Sequence, residues 1–300
     1  MTVRHLLEVD DLAPDELVRV LDLAEAADPA PLLAGKGVAL VFEKPSTRTR
    51  NASEMAVVQL GGHPVSMGGD EVGIDGRETA EDLARTLAGY HAAIGARVFA
   101  HATLERMAWV SPVPVVNLLS DTAHPTQALA DLLTLRQHFG ALAGRELAWV
   151  GDANNVFHSL SLAAAMAGMG VRIASPEGYG PDAPHLARVR ALGIDVAVTT
   201  APEEAVAGAD VVSTDVWASM GQEDEAVARR KAFAGAYTVD TRLMAAAGVD
   251  AVFLHCLPAH RGEEVEADVV DGPRSLVWAQ AANRMHAARG LLWLLLEAGS

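Results

Sequence analysis

Gly37-Val38-Ala39-Leu40-Val41-Phe42 runs straight into Glu43-Lys44-Pro45-Ser46-Thr47-Arg48-Thr49-Arg50, after which Glu54, Val57, Val58 and Leu60 recur at helical spacing. An apolar run, a polar loop and then a 3.6-residue period read as strand, turn and helix, so the loop is the N-terminus of a helix. Backbone N–H groups lacking acceptors, three hydroxyls and two guanidinium groups suit a phosphoryl group there, with the helix dipole adding about 1 kcal/mol. Ordinary N-capping explains one hydroxyl. It does not explain three hydroxyls interleaved with two arginines.

Outward from this stretch, Val113–Val116, Leu147–Val150, Val171–Ala174, Val211–Ser213 and Ala251–Leu254 also read as strands, separated by helical segments. Strands apolar on both faces and alternating with helices form parallel sheets covered on both sides, with ligands at their carboxyl ends. The expected fold class is therefore α/β, with two doubly wound parallel-sheet domains joined by two helices. An amphipathic helix over Pro14 to Ala27 opens the chain, and a helix over about Ala279 to Leu296 returns to the first domain. The boundary falls near Gly140–Arg145, giving a first domain of residues 1–138 completed by 279–300 and a second of 139–278.

Composition narrows the function. The 300 residues are 50% hydrophobic, enough for two medium domains, and carry 23 basic against 39 acidic residues for a net charge of -16. Nucleic acid is disfavoured as a partner, because its phosphates require clustered Lys and Arg, and any anion site must be local. A single cysteine, Cys256, leaves no intrachain disulfide, and Met1-Thr2-Val3-Arg4-His5 lacks a signal-peptide pattern, so the cytoplasm is the expected compartment. No apolar run reaches the roughly 18 residues of a membrane span.

Further candidates sit after other strands. His124-Pro125-Thr126-Gln127 opens a helix with Pro in its first turn, which points His124 and Gln127 toward the strand ends, and Arg97 closes the run His91–Ala96 at the same edge. A lone histidine is usually structural; beside a phosphate loop its imidazole is placed to polarise a carbonyl. In the second domain Gly151-Asp152-Ala153-Asn154-Asn155, Asp215–Gly221 and His255-Cys256-Leu257-Pro258 follow strands. The first lacks G-x-G-x-x-G, which argues against a nicotinamide cofactor. Asp215 near Ser219 could hold an ammonium group, or simply cap a turn. Cys256 could equally be a small buried hydrophobe, and no His, Cys and carboxylate set has metal-ligand spacing.

Taken together, Phe42–Arg50, His124–Gln127, Asp215–Gly221 and His255–Pro258 resemble the ornithine branch of the carbamoyltransferase family, in family order over essentially the whole chain. S-T-R-T-R and H-P-x-Q mark the wider family; S-M-G and H-C-L-P mark the branch. The resemblance implies transfer of the carbamoyl group of carbamoyl phosphate to the δ-amine of L-ornithine, a step of arginine biosynthesis or a urea-type cycle. By the same resemblance Ser46, Thr47, Arg48 and Thr49 bind the phosphate, and Arg97, His124, Gln127 and Arg284 contact the carbamoyl end. Asn155, Asp215, Ser219, Met220 and Leu257 line the ornithine side, with Cys256 the thiol beside the reacting amine. It implies no metal or organic cofactor, and a homotrimer or multiple of trimers with active sites at subunit interfaces. Segments 51–53, 73–78, 88–89 and 279–282 depart from the usual family pattern. The competing readings are a different acceptor (lysine, putrescine, an acylated ornithine or a secondary-metabolite amine) and a catalytically silent binding subunit. The latter is disfavoured by the presence of Arg48, Arg97, His124 and Arg284.

Overall fold

The computed structural model describes residues 3–218 and 223–297, and its chain divides into two units: Met1–Leu133 with Ala282–Ser300, and Thr134–Ala281. In the first, β1 (Gly37–Phe42), β2 (His63–Gly68), β3 (His91–Arg97) and β4 (Val115–Leu119) form a parallel sheet in the order β2-β1-β3-β4. Its helices are α1 (Pro14–Glu25), α2 (Thr47–Gln59), α3 (Gly69–Val72), α4 (Ala80–Ala88), α5 (His101–Val110) and the start of α6 (Pro125–Phe139).

The second unit has β5 (Glu146–Val150), β6 (Gly170–Ala174), β7 (Ala197–Thr199), β8 (Val211–Thr214) and β9 (Val252–His255), all parallel, in the order β7-β6-β5-β8-β9. Helices α7 (Asn155–Met166), α8 (Ala183–Ala191), α9 (Pro202–Val206), α10 (Ala226–Phe233), α11 (Thr241–Ala246) and α12 (Ala267–Val270) belong to it. The divisions at 133/134 and 281/282 fall inside α6 and α13 (Val277–Glu297), so both helices carry the chain from one unit to the other.

Central strands are buried on both faces, as a sheet covered by helices requires: Val38 through Phe42 in β1 and Leu147 through Val150 in β5. Three strands carry weaker sequence signals. β2 is an edge strand, half-buried and containing Pro64, whose missing N–H only an edge tolerates. β3, His-Ala-Ala-Ile-Gly-Ala-Arg, has one β-branched residue because space is short: a Cβ on Gly95 would lie 3.0 Å from Leu40 Cδ2 and 3.1 Å from Leu118 Cδ1. β7 is a three-residue edge. The strand expected at Val113–Val116 runs instead over Val115–Leu119; the Pro114 carbonyl accepts from Ile94 N at 2.8 Å, but without an N–H it stays ahead of the ladder.

Within the first unit the C-terminal part of α13 lies close on α1. A Cβ at Gly290 would come within 2.4 Å of the Val20 carbonyl oxygen and 2.7 Å of Ala24 N, so only glycine fits. The neighbouring Arg289 donates through Nη2 to the carbonyls of Ala24 and Ala26 at 2.5 and 2.8 Å, satisfying acceptors left orphaned at the end of α1.

In the second unit His185 is 5% exposed, stacks on His158 at 4.4 Å and shares a 2.8 Å hydrogen bond with Ser161. Burial, then the charges of His158 and Arg188, hold its pKa at about 4. The unfolded chain therefore binds more protons than the folded one between about 6.5 and 4, and stability rises with pH across that window. The contribution is complete above pH about 6.5 and is lost as the pH falls toward 4. Melting temperature should decline over that interval and decline less in His185→Gln; equal slopes in the two proteins would refute the assignment.

Candidate active site

In each sheet the first strand has its successor on one side and a later strand on the other. This topological switch opens a crevice at the carboxyl ends of β1 and β3, and another at β5 and β8. The loop leaving β1 and the last residue of β3 meet at the first: Phe42 and Arg97 are register partners, and Glu43 N donates to the Arg97 carbonyl at 2.9 Å.

The loop delivers its residues to the start of α2. Ser46 is the N-cap, its Oγ accepting from Thr49 N at 3.2 Å, which leaves the N–H groups of Thr47 and Arg48 at the helix start without intrahelical acceptors. One hydroxyl thus does ordinary capping. The two arginines separate in role: Arg50 Nε pairs with Glu54 at 2.9 Å along the exposed face, whereas the half-buried Arg48 side chain makes no hydrogen bond or ion pair with the described residues. Buried Thr49 turns Oγ1 toward Arg284 Nη2, 2.7 Å away, and Arg284 Nη1 donates to Gln127 Oε1 at 2.5 Å. Gln127 Nε2 in turn donates to Asp131 Oδ1 at 2.7 Å. Residues 49, 127 and 284, far apart in the chain, form one connected network.

His124 immediately precedes α6 and is 4% exposed. Burial, then the nearby positive charges of Arg284 and Arg97, hold its pKa well below the ordinary 6.5, so the ring is a neutral imidazole. Arg97 and Arg284 are themselves 6% and 4% exposed, and Lys44, 8% exposed, lies 4.4 Å from the Phe99 ring centroid. A chain of net charge -16 has gathered buried cations around one helix N-terminus. The arrangement is chemically an anion site with hydrogen-bond donors beside it.

The second unit builds its set at the ends of β5, β8 and β9. Asn154, N-cap of α7, accepts through its side-chain oxygen from Val156 N and Phe157 N, and its Nδ2 donates to Asp215 Oδ2 at 2.8 Å. Cys256 Sγ donates to Asp215 Oδ1 at 3.1 Å. Asp215 is thus a 6% exposed carboxylate oriented by an amide and a thiol. Asn155, next along, is the first residue of α7. The Asp215 loop is tied down by Arg229, which donates to the Trp217 carbonyl at 3.2 Å and pairs with Asp152 at 2.7 Å. Ser219, Met220 and Gly221 lie outside the described residues.

Leu257 has φ 61°, unusual for a residue with a branched side chain. Its N–H donates to His255 Nδ1 at 2.9 Å, so the ring accepts there and donates through Nε2 to buried Glu264 at 3.2 Å. Although sequence spacing suggests no metal-ligating cluster, the fold brings ligand atoms of Asp215, His255 and Cys256 within 4.8 Å of one another, and likewise those of His260, Glu263 and Glu264. In the first group both His255 nitrogens and the Cys256 thiol already make protein hydrogen bonds. Asn154, Asp131, Arg229 and Glu264 are contributors that sequence reasoning passes over. Asn154 had a usable signal, a capping residue between strand and helix; the others become visible only once distant segments meet.

Fold and side chains together define a two-domain α/β protein, with one unit gathering buried cations at a helix N-terminus and the other carrying a buried carboxylate and a half-buried thiol at its strand ends. The sequence pattern described as "Aspartate/ornithine carbamoyltransferase, carbamoyl-P binding domain" matches residues 4–137, and the companion "Asp/Orn binding domain" matches 143–295. An ornithine carbamoyltransferase of Acidothermus cellulolyticus is 52% identical over 307 residues, covering 99% of this chain and 97% of its own. Solved structures of ornithine carbamoyltransferase from Pyrococcus furiosus (TM-score 0.93, 43% identity, 98% of this chain and 97% of that one) and Thermus thermophilus (0.90, 46%, 99% and 100%) share the fold. The chain belongs to the aspartate/ornithine carbamoyltransferase family.

Proposed function

We propose that the protein transfers the carbamoyl group of carbamoyl phosphate to the δ-amine of L-ornithine, giving L-citrulline and phosphate. The observation that carries this reading is the first unit's network, in which Thr49, Arg284 and Gln127 join at the start of α2 beside neutral His124 and Arg97. The curated relatives' name supports ornithine as acceptor.

The leaving phosphate lies on the N–H groups of Thr47 and Arg48, the hydroxyls of Ser46, Thr47 and Thr49, and the Arg48 guanidinium. The carbamoyl oxygen faces Arg97, His124 and Arg284, with Gln127 at the carbamoyl amine. An alkyl ammonium of pKa about 10.4 is neutral roughly once in 2,500 molecules at pH 7, a deficit of about 4 to 5 kcal/mol. Asp215 takes the α-ammonium of ornithine, in company with Asn155, Ser219, Met220 and Leu257. The δ-amine, losing its proton as water is excluded, lies by Cys256. The neutral δ-nitrogen attacks the carbamoyl carbon, charge builds on oxygen, and each positioned donor there is worth about 3 to 4 kcal/mol. The carbonyl then re-forms as the C–O bond to phosphate breaks, and the phosphate leaves with that electron pair onto the cationic loop and takes up the proton shed by the attacking nitrogen.

Citrulline formation in a colorimetric ureido assay, run with ornithine against lysine, putrescine and N-acetyl-ornithine, tests the function; no product with any amine would overturn it. Cys256→Ser is expected to raise the KM for ornithine or lower kcat about tenfold, in line with losing one hydrogen-bonded contact, while leaving carbamoyl phosphate affinity unchanged. A matching loss of carbamoyl phosphate affinity would contradict the separation of the two sets. We place the protein in the cytoplasm as a homotrimer or a multiple of trimers, an assembly that sizing in solution checks; among the described residues no helix is long and apolar enough to cross a membrane.

A further inference from the structure

Asp131 ends the hydrogen-bonded chain through Gln127 and has no role in the proposed reaction above. It lies on α6 one turn beyond Gln127 and is 1% exposed. Its Oδ1 accepts from Gln127 Nε2 at 2.7 Å, while Gln127 Oε1 accepts from Arg284 Nη1 at 2.5 Å. The two ends of an amide are chemically opposite: the oxygen only accepts and the nitrogen only donates. A guanidinium can only donate and a carboxylate can only accept, so Arg284 and Asp131 together allow a single orientation of the Gln127 amide. In that orientation its oxygen faces Arg284, whose other terminal nitrogen is bound to Thr49 near the start of α2. A carbonyl oxygen has two lone pairs, and Arg284 uses one.

We propose that Asp131 is a positioning residue that sets the choice of acyl phosphate. By anchoring the nitrogen of Gln127, it presents the second lone pair of Oε1 as an acceptor for the NH2 of carbamoyl phosphate. Acetyl phosphate, with a methyl group in place of that NH2, leaves the acceptor buried and unpaired, and sites built around a hydrogen bond reject such analogues strongly. The anchor matters most when Arg284 is drawn to the developing oxyanion, because Asp131 is then the fixed partner that keeps the amide from turning over. This inference rests on the proposed function and deepens it.

The test measures the KM of carbamoyl phosphate and of ornithine, and the Ki of acetyl phosphate, in wild type, Asp131→Asn, Gln127→Glu and the double variant. The amide introduced by Asp131→Asn can face Gln127 with either end, so the orientation is no longer forced. Its KM for carbamoyl phosphate is expected to rise about 10- to 100-fold, its preference over acetyl phosphate to shrink by a similar factor, and its KM for ornithine to stay put. The carboxylate introduced by Gln127→Glu would oppose Asp131. Combined with Asp131→Asn it again offers acceptor oxygens in both directions, so the double variant should recover part of the lost preference. A purely structural Asp131 would lower melting temperature and raise both KM values without rescue. An unchanged ratio of carbamoyl to acetyl phosphate in Asp131→Asn overturns the proposal; should that variant not fold, a double variant that folds and shows no recovered preference overturns it. Wild type that fails to bind carbamoyl phosphate at all would instead remove the proposed function, so the two failures are distinguishable.

Discussion

Arg48→Ala is expected to lower kcat/KM for carbamoyl phosphate by about 10²- to 10³-fold, the effect of removing one charged partner from a desolvated pair. Of the two arginines on the loop, Arg50 is committed to Glu54 on the exposed face of α2, whereas Arg48 makes no hydrogen bond or ion pair with the described residues. Arg48 is therefore the guanidinium available to an incoming phosphate, adjoining the N–H groups that the helix leaves without acceptors. The control is Arg50→Ala, which breaks an exposed i,i+4 pair of small energetic weight and should leave carbamoyl phosphate affinity within a few-fold of wild type. Steady-state kinetics on both variants, with isothermal titration of carbamoyl phosphate, separate the two. Equal losses in both would remove the distinction between the arginines.

The second large effect is expected at His124. Its imidazole is buried and, near the charges of Arg284 and Arg97, kept neutral; in the proposed function it therefore acts as a hydrogen-bond donor to the carbamoyl oxygen rather than as a cation. His124→Ala should lower kcat about 10²- to 10³-fold, the loss seen when a single oxyanion donor is removed, with little change in the KM of carbamoyl phosphate. The low pKa has a second consequence. As the pH falls through 6.5, where a free imidazole takes up a proton, the kcat of wild type should show no inflection from this residue. A limb near 6.5 that disappears in His124→Ala would contradict the neutral-donor role.

What the sequence disclosed and what it hid follow from the range of the interactions involved. The helix N-terminus at Ser46 is local: a strand, a capping hydroxyl and a helical period follow one another between Gly37 and Gln59, and the structure keeps them in place. The parallel-sheet fold class was legible for the same reason, since Val- and Leu-rich runs with helices between them need no long-range knowledge. Strands β2, β3 and β7 were hidden because their composition answers to edge position or to crowding by Leu40 and Leu118 rather than to β-propensity. The site shows the same divide. His124 and Gln127 are announced by a proline at a helix start, but the link of Gln127 to Arg284, across 157 residues, is a product of folding. Asn155 drew attention in the sequence, while Asn154, one residue earlier, is the residue that caps α7 and donates to Asp215. Glu264 could not be read at all: its carboxylate meets the ring of His255, which accepts from the N–H of Leu257, a residue at positive φ.

In the proposed function the start of α2 grips the phosphate of carbamoyl phosphate. A crystal structure of the protein with carbamoyl phosphate, or with its stable phosphonate analogue phosphonoacetamide, tests it most directly. Phosphoryl oxygens within hydrogen-bond distance of Thr47 N, Arg48 N and the Arg48 guanidinium, with the carbonyl oxygen toward His124 and Arg97, are the expected result. A ligand bound elsewhere while these groups keep their positions, or a phosphoryl group seated on Arg50 instead, would contradict it.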